Sequence, residues 1–410
     1  MTKFEIPPFP PAMAQPRVEL KFLDGLRGLA AFYVLIYHLY NPAWLPHLLT
    51  YPLSVLRFGH YAVGVFIVLS GYCLMLPVAR SADGRIPGGV IRFFQRRSRR
   101  ILPPYYAALV LSLVLLLMSR RLMDSLGIVS TDKGWAGNFS AGSILSHVFL
   151  VHNWNPKWNG TINLTMWSVA AEWQIYFLFP LLLLPAWRRL GDVGVVLTGL
   201  VVGVAPLFLL PRGYNFSWAC PQYLCLFAMG MAGAGLGFSE DRRASNWRDR
   251  LPWGVMCATS LLAFASIAFY VAVLKARTNG PLGLPVSQPW AVDVLVGFST
   301  TCLIIFCANH SARGASGETP WALRLLASRF AVALGAFSYS LYLVQLPLIN
   351  VSKEILSHYI ASPMTVFFVL FCVVLPFILG LSFLFHLAFE RPFLSGRAKQ
   401  RVQNDLQSAA

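Results

Sequence analysis

Long apolar runs, separated by short polar stretches, repeat along the whole chain. A run of about 20 apolar residues lets an α-helix cross a hydrocarbon core of about 30 Å. Ten runs of this kind stand out, at residues 25–40, 58–79, 101–118, 166–185, 193–210, 218–238, 253–274, 290–308, 330–351 and 364–389. The first and third are somewhat short, and the last is long enough to tilt or emerge from the bilayer. An eleventh segment, 143–154, is too short to span and reads as an interfacial or re-entrant helix. The pattern predicts an all-α, polytopic transmembrane helix bundle. The chain opens on a polar, proline-rich stretch rather than a basic start and an apolar run, so no cleavable signal peptide is expected. No strong repeat relates the two halves, which disfavours a repeat-built transporter. The expected organisation is a polar N-terminus (1–21), one membrane domain (22–393) and a polar tail (394–410).

Composition agrees. Of 410 residues, 57% are hydrophobic and only 12% charged, against roughly 25% charged in an average soluble protein. Mean hydropathy is +0.60, so a soluble or disordered chain is excluded. The net charge of +17 would suggest nucleic-acid binding in a soluble protein. Here the charges fall between the apolar runs. With a cytoplasmic N-terminus, the cytoplasmic segments carry 23 Lys and Arg and the opposite side 9, Arg27 lying inside a span. This bias predicts a multi-pass protein of the cell (plasma or inner) membrane with both termini cytoplasmic. Lipid is then the expected surrounding partner, and no nucleic acid is expected. The seven cysteines form no CxxC pair or zinc spacing, so no metal is expected.

Ionisable side chains inside spans are costly and point to function. Three qualify: Arg27, His38 and Glu172. Arg27 and His38 lie on one face of the first helix, about 16 Å apart along its axis. Asp24, one turn earlier, is placed to pair with Arg27. Arg27 also reads as a snorkelling anchor, and His38 as a buried histidine bonded to a backbone carbonyl. Glu172 is expected roughly 9 Å below the outer surface, and His38 roughly 21 Å from the inner end of its span. In a 30 Å core these depths coincide, so the two are expected to meet. A carboxylate beside an imidazole makes a general base; a purely structural buried pair is the alternative.

A second feature is IRFFQRRSRRILPPYY, in which Arg92, Arg96, Arg97, Arg99 and Arg100 crowd together. They read as a topogenic, lipid-binding cluster or as guanidinium forks for phosphate oxygens. Pro103–Pro104 is expected to break the helix start behind them and open a mouth into the bundle. Asp293 and His386 fall near span ends and are expected at the interface. His147 and His152 have poor helical ligand spacing. Asn138, Asn159, Asn163 and Asn215 begin N-x-S/T triplets, which arise readily by chance.

Six strings taken in order carry a resemblance. FLDGLRGLAAFYVLIYH holds Arg27 and His38; VGVFIVLSGYCL holds Ser70 and Gly71; RRSRRILPPYY holds Arg97 and Arg100; WSVAAEWQIYFLFPLLL holds Trp167, Ser168 and Glu172; SYSLYLVQLPLI and FERPF follow. Together they resemble the acyltransferase 3 family of integral membrane acyltransferases, which modify hydroxyls of glycans and some secondary metabolites. Two departures stand out: Trp173 replaces a frequent second acidic residue, and Gln345 stands near a frequent histidine. The resemblance implies acyl-CoA, first of all acetyl-CoA, as donor. It implies a donor site at Arg97, Arg100, Arg96 and Ser70, and a catalytic group of His38, Glu172, Arg27 and Asp24. The implied acceptor is a carbohydrate or small-molecule hydroxyl. Some relatives carry an extra extracytoplasmic domain; without one the chain is expected to act alone or hand over to a glycan-assembly partner. Two other readings fit the same residues: a proton-coupled transporter with His38 and Glu172 as relay, and a non-catalytic partner in a glycan export complex.

Overall fold

The structure, a computed structural model, describes residues 20–41, 44, 52–81, 83–126, 140–211, 216–238, 242–278, 289–313, 319–394 and 396. Residues 1–19, nearly all of the tail, and the triplets at Asn138 and Asn215 lie outside the described residues. Those described form helices and turns, with no strand. In order they are α1 (Lys21–Leu39), α2 (Gly59–Ala79), α3 (Gly89–Leu126), α4 (Ala141–Val148), α5 (Met166–Leu178), α6 (Leu184–Leu209) and α7 (Tyr223–Phe238). Then come α8 (Arg242–Arg250), α9 (Trp253–Thr278), α10 (Pro289–Arg313), α11 (Trp321–Leu326), α12 (Arg329–Ala336), α13 (Ser338–Tyr359), α14 (Pro363–Val369) and α15 (Leu375–Phe385). Single π-helical turns join α5 to α6 and α14 to α15, and a third, His386–Glu390, follows α15.

Eight of these helices are long and apolar enough to cross a membrane, or nine if α12 and α13, bent by 74°, form one span. Ten crossings were expected, and the difference lies in one element. The run 166–209 is a single helix of 44 residues by composition, but Gly191 interrupts it at φ 71°, ψ −166°. Glycine adopts that conformation at little cost. The two arms meet α7 in opposite order. Trp167 faces Tyr223 and Phe179 faces Phe227. Past Gly191, Asp192 packs at Gly235, Gly199 at Leu224, and Gly203 at Pro221. The chain therefore reverses at Gly191, and each arm makes its own pass. Large apolar side chains such as Leu181, Val201 and Leu262 remain exposed, as they must where the surroundings are hydrocarbon rather than water.

Pro103 and Pro104 do not break their helix. α3 runs through them for 38 residues, and the arginines stand on its first turns rather than in a loop. A proline removes only its own donor. The carbonyls freed here belong to Arg99 and Arg100, which are exposed.

The short segment α4 folds back into the bundle. Tyr105 and Tyr106 donate to the carbonyls of His147 and Val148, both at 2.8 Å, and Gln174 donates to that of Leu150 at 2.9 Å. These bonds satisfy backbone groups that hydrocarbon cannot. His147 and His152 stack at 3.8 Å, both fully buried. Asn163 is also buried, and donates to Leu343 O and Ser112 Oγ, so its triplet is no exposed acceptor.

Candidate active site

A cavity of about 270 Å³ opens among six helices, α1, α2, α3, α5, α12 and α13, and the turn at Glu390. Helical spacing aligns each wall. On α2 the lining residues are Val63, Phe66, Ile67, Ser70 and Cys73; on α5 they are Ser168, Val169, Glu172 and Tyr176. Asp24 and Arg27 enter from α1, Arg97 and Arg100 from α3, and Ser338, Tyr339 and Tyr342 from α13. Arg97 and Arg100 are three apart, so one face of α3 delivers both.

Glu172 is tightly held. Its Oε1 accepts from Ser70 Oγ and, at 2.5 Å, from Tyr176 OH. Arg27 pairs with Asp24 at 3.2 Å and donates to Cys73 Sγ at 3.8 Å. Arg97 Nε is buried with no partner among the described residues. Glu390 is a second carboxylate of the wall, with Oε2 bonded by Ser340 Oγ at 2.6 Å and His386 Nδ1 at 2.9 Å. Near the start of α5, Ser168 Oγ and Tyr342 OH share a 2.6 Å bond. The site thus holds three guanidiniums beside three carboxylates in a half-buried cleft. Anionic phosphates and an extended chain both fit that chemistry.

Of the expected residues, Asp24, Arg27, Ser70, Arg97, Arg100 and Glu172 meet on this cavity. His38 and Arg96 do not. Arg96 is exposed and donates to Pro87 O at 3.1 Å; it projects from α3 about 100° away from Arg97. His38 does not contact Glu172, contrary to the depth argument. Arg27 lies against Cys73, and Tyr37 lies against Gly59, so α1 and α2 run antiparallel with His38 near the start of α2. Glu172 is bonded to Ser70, about 16 Å further along α2 from Gly59. The depth argument placed Met166 at the membrane surface. Met166 is in fact fully buried, so it does not mark a surface from which the depth of Glu172 can be counted. The Lys353 ammonium donates to the His38 carbonyl at 2.5 Å.

Three residues of the cavity network, Tyr176, Ser340 and Glu390, went unread in the sequence, and a fourth, His386, was expected at the interface. Tyr176 lies one turn beyond Glu172, so spacing alone points to it. His386 and Glu390 are likewise one turn apart, whereas Ser340 reaches Glu390 only through the fold. His386 and Asp293, expected at the interface, are both buried. Gln345 is fully buried and does not line the cavity. No cluster of three metal-ligating side chains occurs among the described residues.

The chain is similar to known proteins over part of its length. The chain is 27% identical over 210 residues to the O-acetyltransferase OatA of Staphylococcus aureus (strain NCTC 8325 / PS 47), covering 48% of this chain and 30% of that protein. It is 28% identical over 176 residues to a putative O-acetyltransferase of S. aureus (strain COL), covering 39% of this chain and 24% of that one. The matches thus span less than a third of these relatives' length. No solved structure matches. A family model described as an acyltransferase domain matches residues 20–387, nearly the whole membrane bundle with its cavity, and this multi-pass membrane protein belongs to the acyltransferase 3 family.

Proposed function

We propose that the protein transfers an acyl group, in the first instance acetyl, from acyl-CoA to a hydroxyl of a carbohydrate or glycosylated small molecule. One observation carries this reading: the cavity begins among Arg27, Arg97 and Arg100 and climbs α2 toward the level of His38. The arginines bind the donor's phosphates at the cytoplasmic side, where the charge bias puts them. The thin arm of the donor follows the cavity and carries the thioester toward His38. His38 takes the proton of the acceptor hydroxyl as its oxygen attacks the thioester carbonyl. The carbon–sulfur bond breaks, and the CoA thiolate recovers that proton from His38, so ester and free thiol leave with all atoms accounted for. Glu172 is separate from this proton transfer. It sits within electrostatic reach of both Arg27 and Arg97 and fixes the donor end. The distance between His38 and Glu172 also removes the contact that a proton relay between them would use.

The test uses full-length protein in lipid nanodiscs with labelled acetyl-CoA. Saturable binding and transfer to an added alcohol are expected, and failure to bind acetyl-CoA up to millimolar concentration would sink the reading. Arg97→Lys is expected to raise KM for acetyl-CoA about 10-fold with kcat unchanged, because an ammonium keeps the charge but loses the bidentate fork. An unchanged KM would mean that Arg97 holds lipid or topology instead.

A further inference from the structure

The cavity wall holds a carboxylate that the mechanism above leaves without a role. Glu390 closes the π-helical turn after α15 and is only 4% exposed, yet it lines the cavity. Its Oε2 accepts from Ser340 Oγ at 2.6 Å and from His386 Nδ1 at 2.9 Å. Its Oε1 accepts no hydrogen bond among the described residues and is not sealed in the interior. Two donors thus converge on one oxygen and leave the other to the cavity. His386 Nε2 is buried with no partner among the described residues, so the ring hydrogen belongs on Nδ1, where it bonds Glu390. No guanidinium bonds this carboxylate among the described residues, unlike Asp24, which pairs with Arg27. Its level is defined as well. Tyr339, beside Ser340, donates to the Ile101 carbonyl at 3.1 Å and is within electrostatic reach of Glu390. Ile101 lies four residues on from Arg97, about 6 Å further along α3. Glu390 therefore stands about one turn inward of the arginines, where Ile101 and Leu394 also line the cavity. A carboxylate oxygen only accepts, and a phosphate has no hydrogen to offer it. Oε1 is matched by an O–H or N–H on an uncharged stretch of the ligand. In an acyl-CoA that stretch is the pantetheine arm, whose hydroxyl and amide N–H groups begin directly behind the diphosphate.

We propose that Glu390 is a specificity-determining residue of the donor site. Its Oε1 accepts from the O–H and N–H groups at the head of the pantetheine arm, and Ser340 and His386 are the positioning residues that aim it. This rests on the acyl-CoA reading and gives it a second point of recognition, one that an acyl phosphate would leave unfilled. A carboxylate that merely offset the arginines would act in the reverse sense, since its removal would tighten anion binding rather than loosen it.

The experiment measures equilibrium binding of two ligands to full-length protein in nanodiscs: CoA, and adenosine 3′-phosphate 5′-diphosphate, which is CoA without the arm. In Glu390→Gln, Ser340 and His386 keep the amide oxygen, so an NH₂ group takes the place of Oε1 and sets a donor against donors. Kd for CoA is expected to rise about 10-fold, the loss of one charge-assisted hydrogen bond. Kd for the armless nucleotide should stay within about twofold. Ser340→Ala removes one of the two bonds that aim the carboxylate. It is expected to raise Kd for CoA about threefold with the same selectivity, and it decides alone if Glu390→Gln fails to fold. Unchanged or tighter CoA binding in Glu390→Gln overturns the proposal, as does an equal loss with both ligands, which marks a structural role. A parent protein that binds CoA no more tightly than the armless nucleotide gains nothing from the arm and overturns it too. Failure of the parent to bind CoA or acetyl-CoA at all brings down the acyl-transfer reading itself.

Discussion

His38→Ala is expected to lower kcat for acyl transfer by about 10²–10⁴-fold, the usual contribution of a general base, while acetyl-CoA binding stays within about twofold. The separation of the two ends of the site makes this split sharp. The donor's phosphates are assigned to the arginine end, with Arg27 and Arg97, and His38 lies three helical turns away along α1. Glu172→Gln should behave in the opposite sense. Its carboxylate is bonded by Ser70 and Tyr176 and balances Arg27 and Arg97. Neutralising it is expected to change KM for acetyl-CoA by about 3–10-fold, with a smaller change in kcat. Stopped-flow or single-turnover transfer with equilibrium donor binding separates the two. A His38→Ala enzyme with the parent's kcat would exclude His38 as base. A Glu172→Gln enzyme that lost only kcat, with donor binding intact, would return Glu172 to His38 as partner.

That contrast marks where the sequence stopped being informative. Apolar runs located the helices because spanning length is a local property. Gly191 was readable too, since a glycine between two apolar runs permits the reversal seen there. Arg97 and Arg100 share a face by spacing alone, but Arg96, four residues before Arg100, satisfies the same rule, so spacing could not exclude it; its bond to Pro87 O, which turns it away, exists only in the fold. Depth was not legible. It depended on where α5 begins relative to the bilayer, and that is set by the returning segment 140–165, anchored through Asn163 to Leu343 and through Tyr105 to His147. These bonds join residues far apart in the chain. The bond of Ser340 to Glu390 was hidden for the same reason, although FERPF and SYSLYLVQLPLI both stand out as strings; the His386–Glu390 pair, one turn apart, was open to spacing.

The largest effect on stability is expected at the crossing of α2 and α7, which holds Ser70 in place. A Cβ on Gly71 would sit 2.0 Å from the Phe227 carbonyl oxygen, and one on Gly230 would sit 2.0 Å from that of Val68. Both obstacles are backbone, so no side-chain rotation relieves them, and close approach through small residues is how helices associate in a membrane. Gly71→Ala is therefore expected to cost at least the upper end of the roughly 1–3 kcal/mol typical of overpacking. Either helix must be pushed outward, and the Ser70–Glu172 bond on the cavity side goes with it. Gly380→Ala, on α15, is the matched control. Nothing lies within 4 Å of a Cβ there, and replacing a mid-helix glycine removes an entropic penalty of about 0.5–1 kcal/mol. Thermal midpoints in one detergent should fall by several degrees or more for Gly71→Ala and hold or rise for Gly380→Ala. A Gly71→Ala protein with the parent's midpoint would show that α2 and α7 approach less closely than the structure has them. Loss of midpoint together with loss of acetyl-CoA binding would tie the donor end of the site to that crossing, because Ser70 precedes Gly71 directly and bonds the carboxylate that faces the arginines.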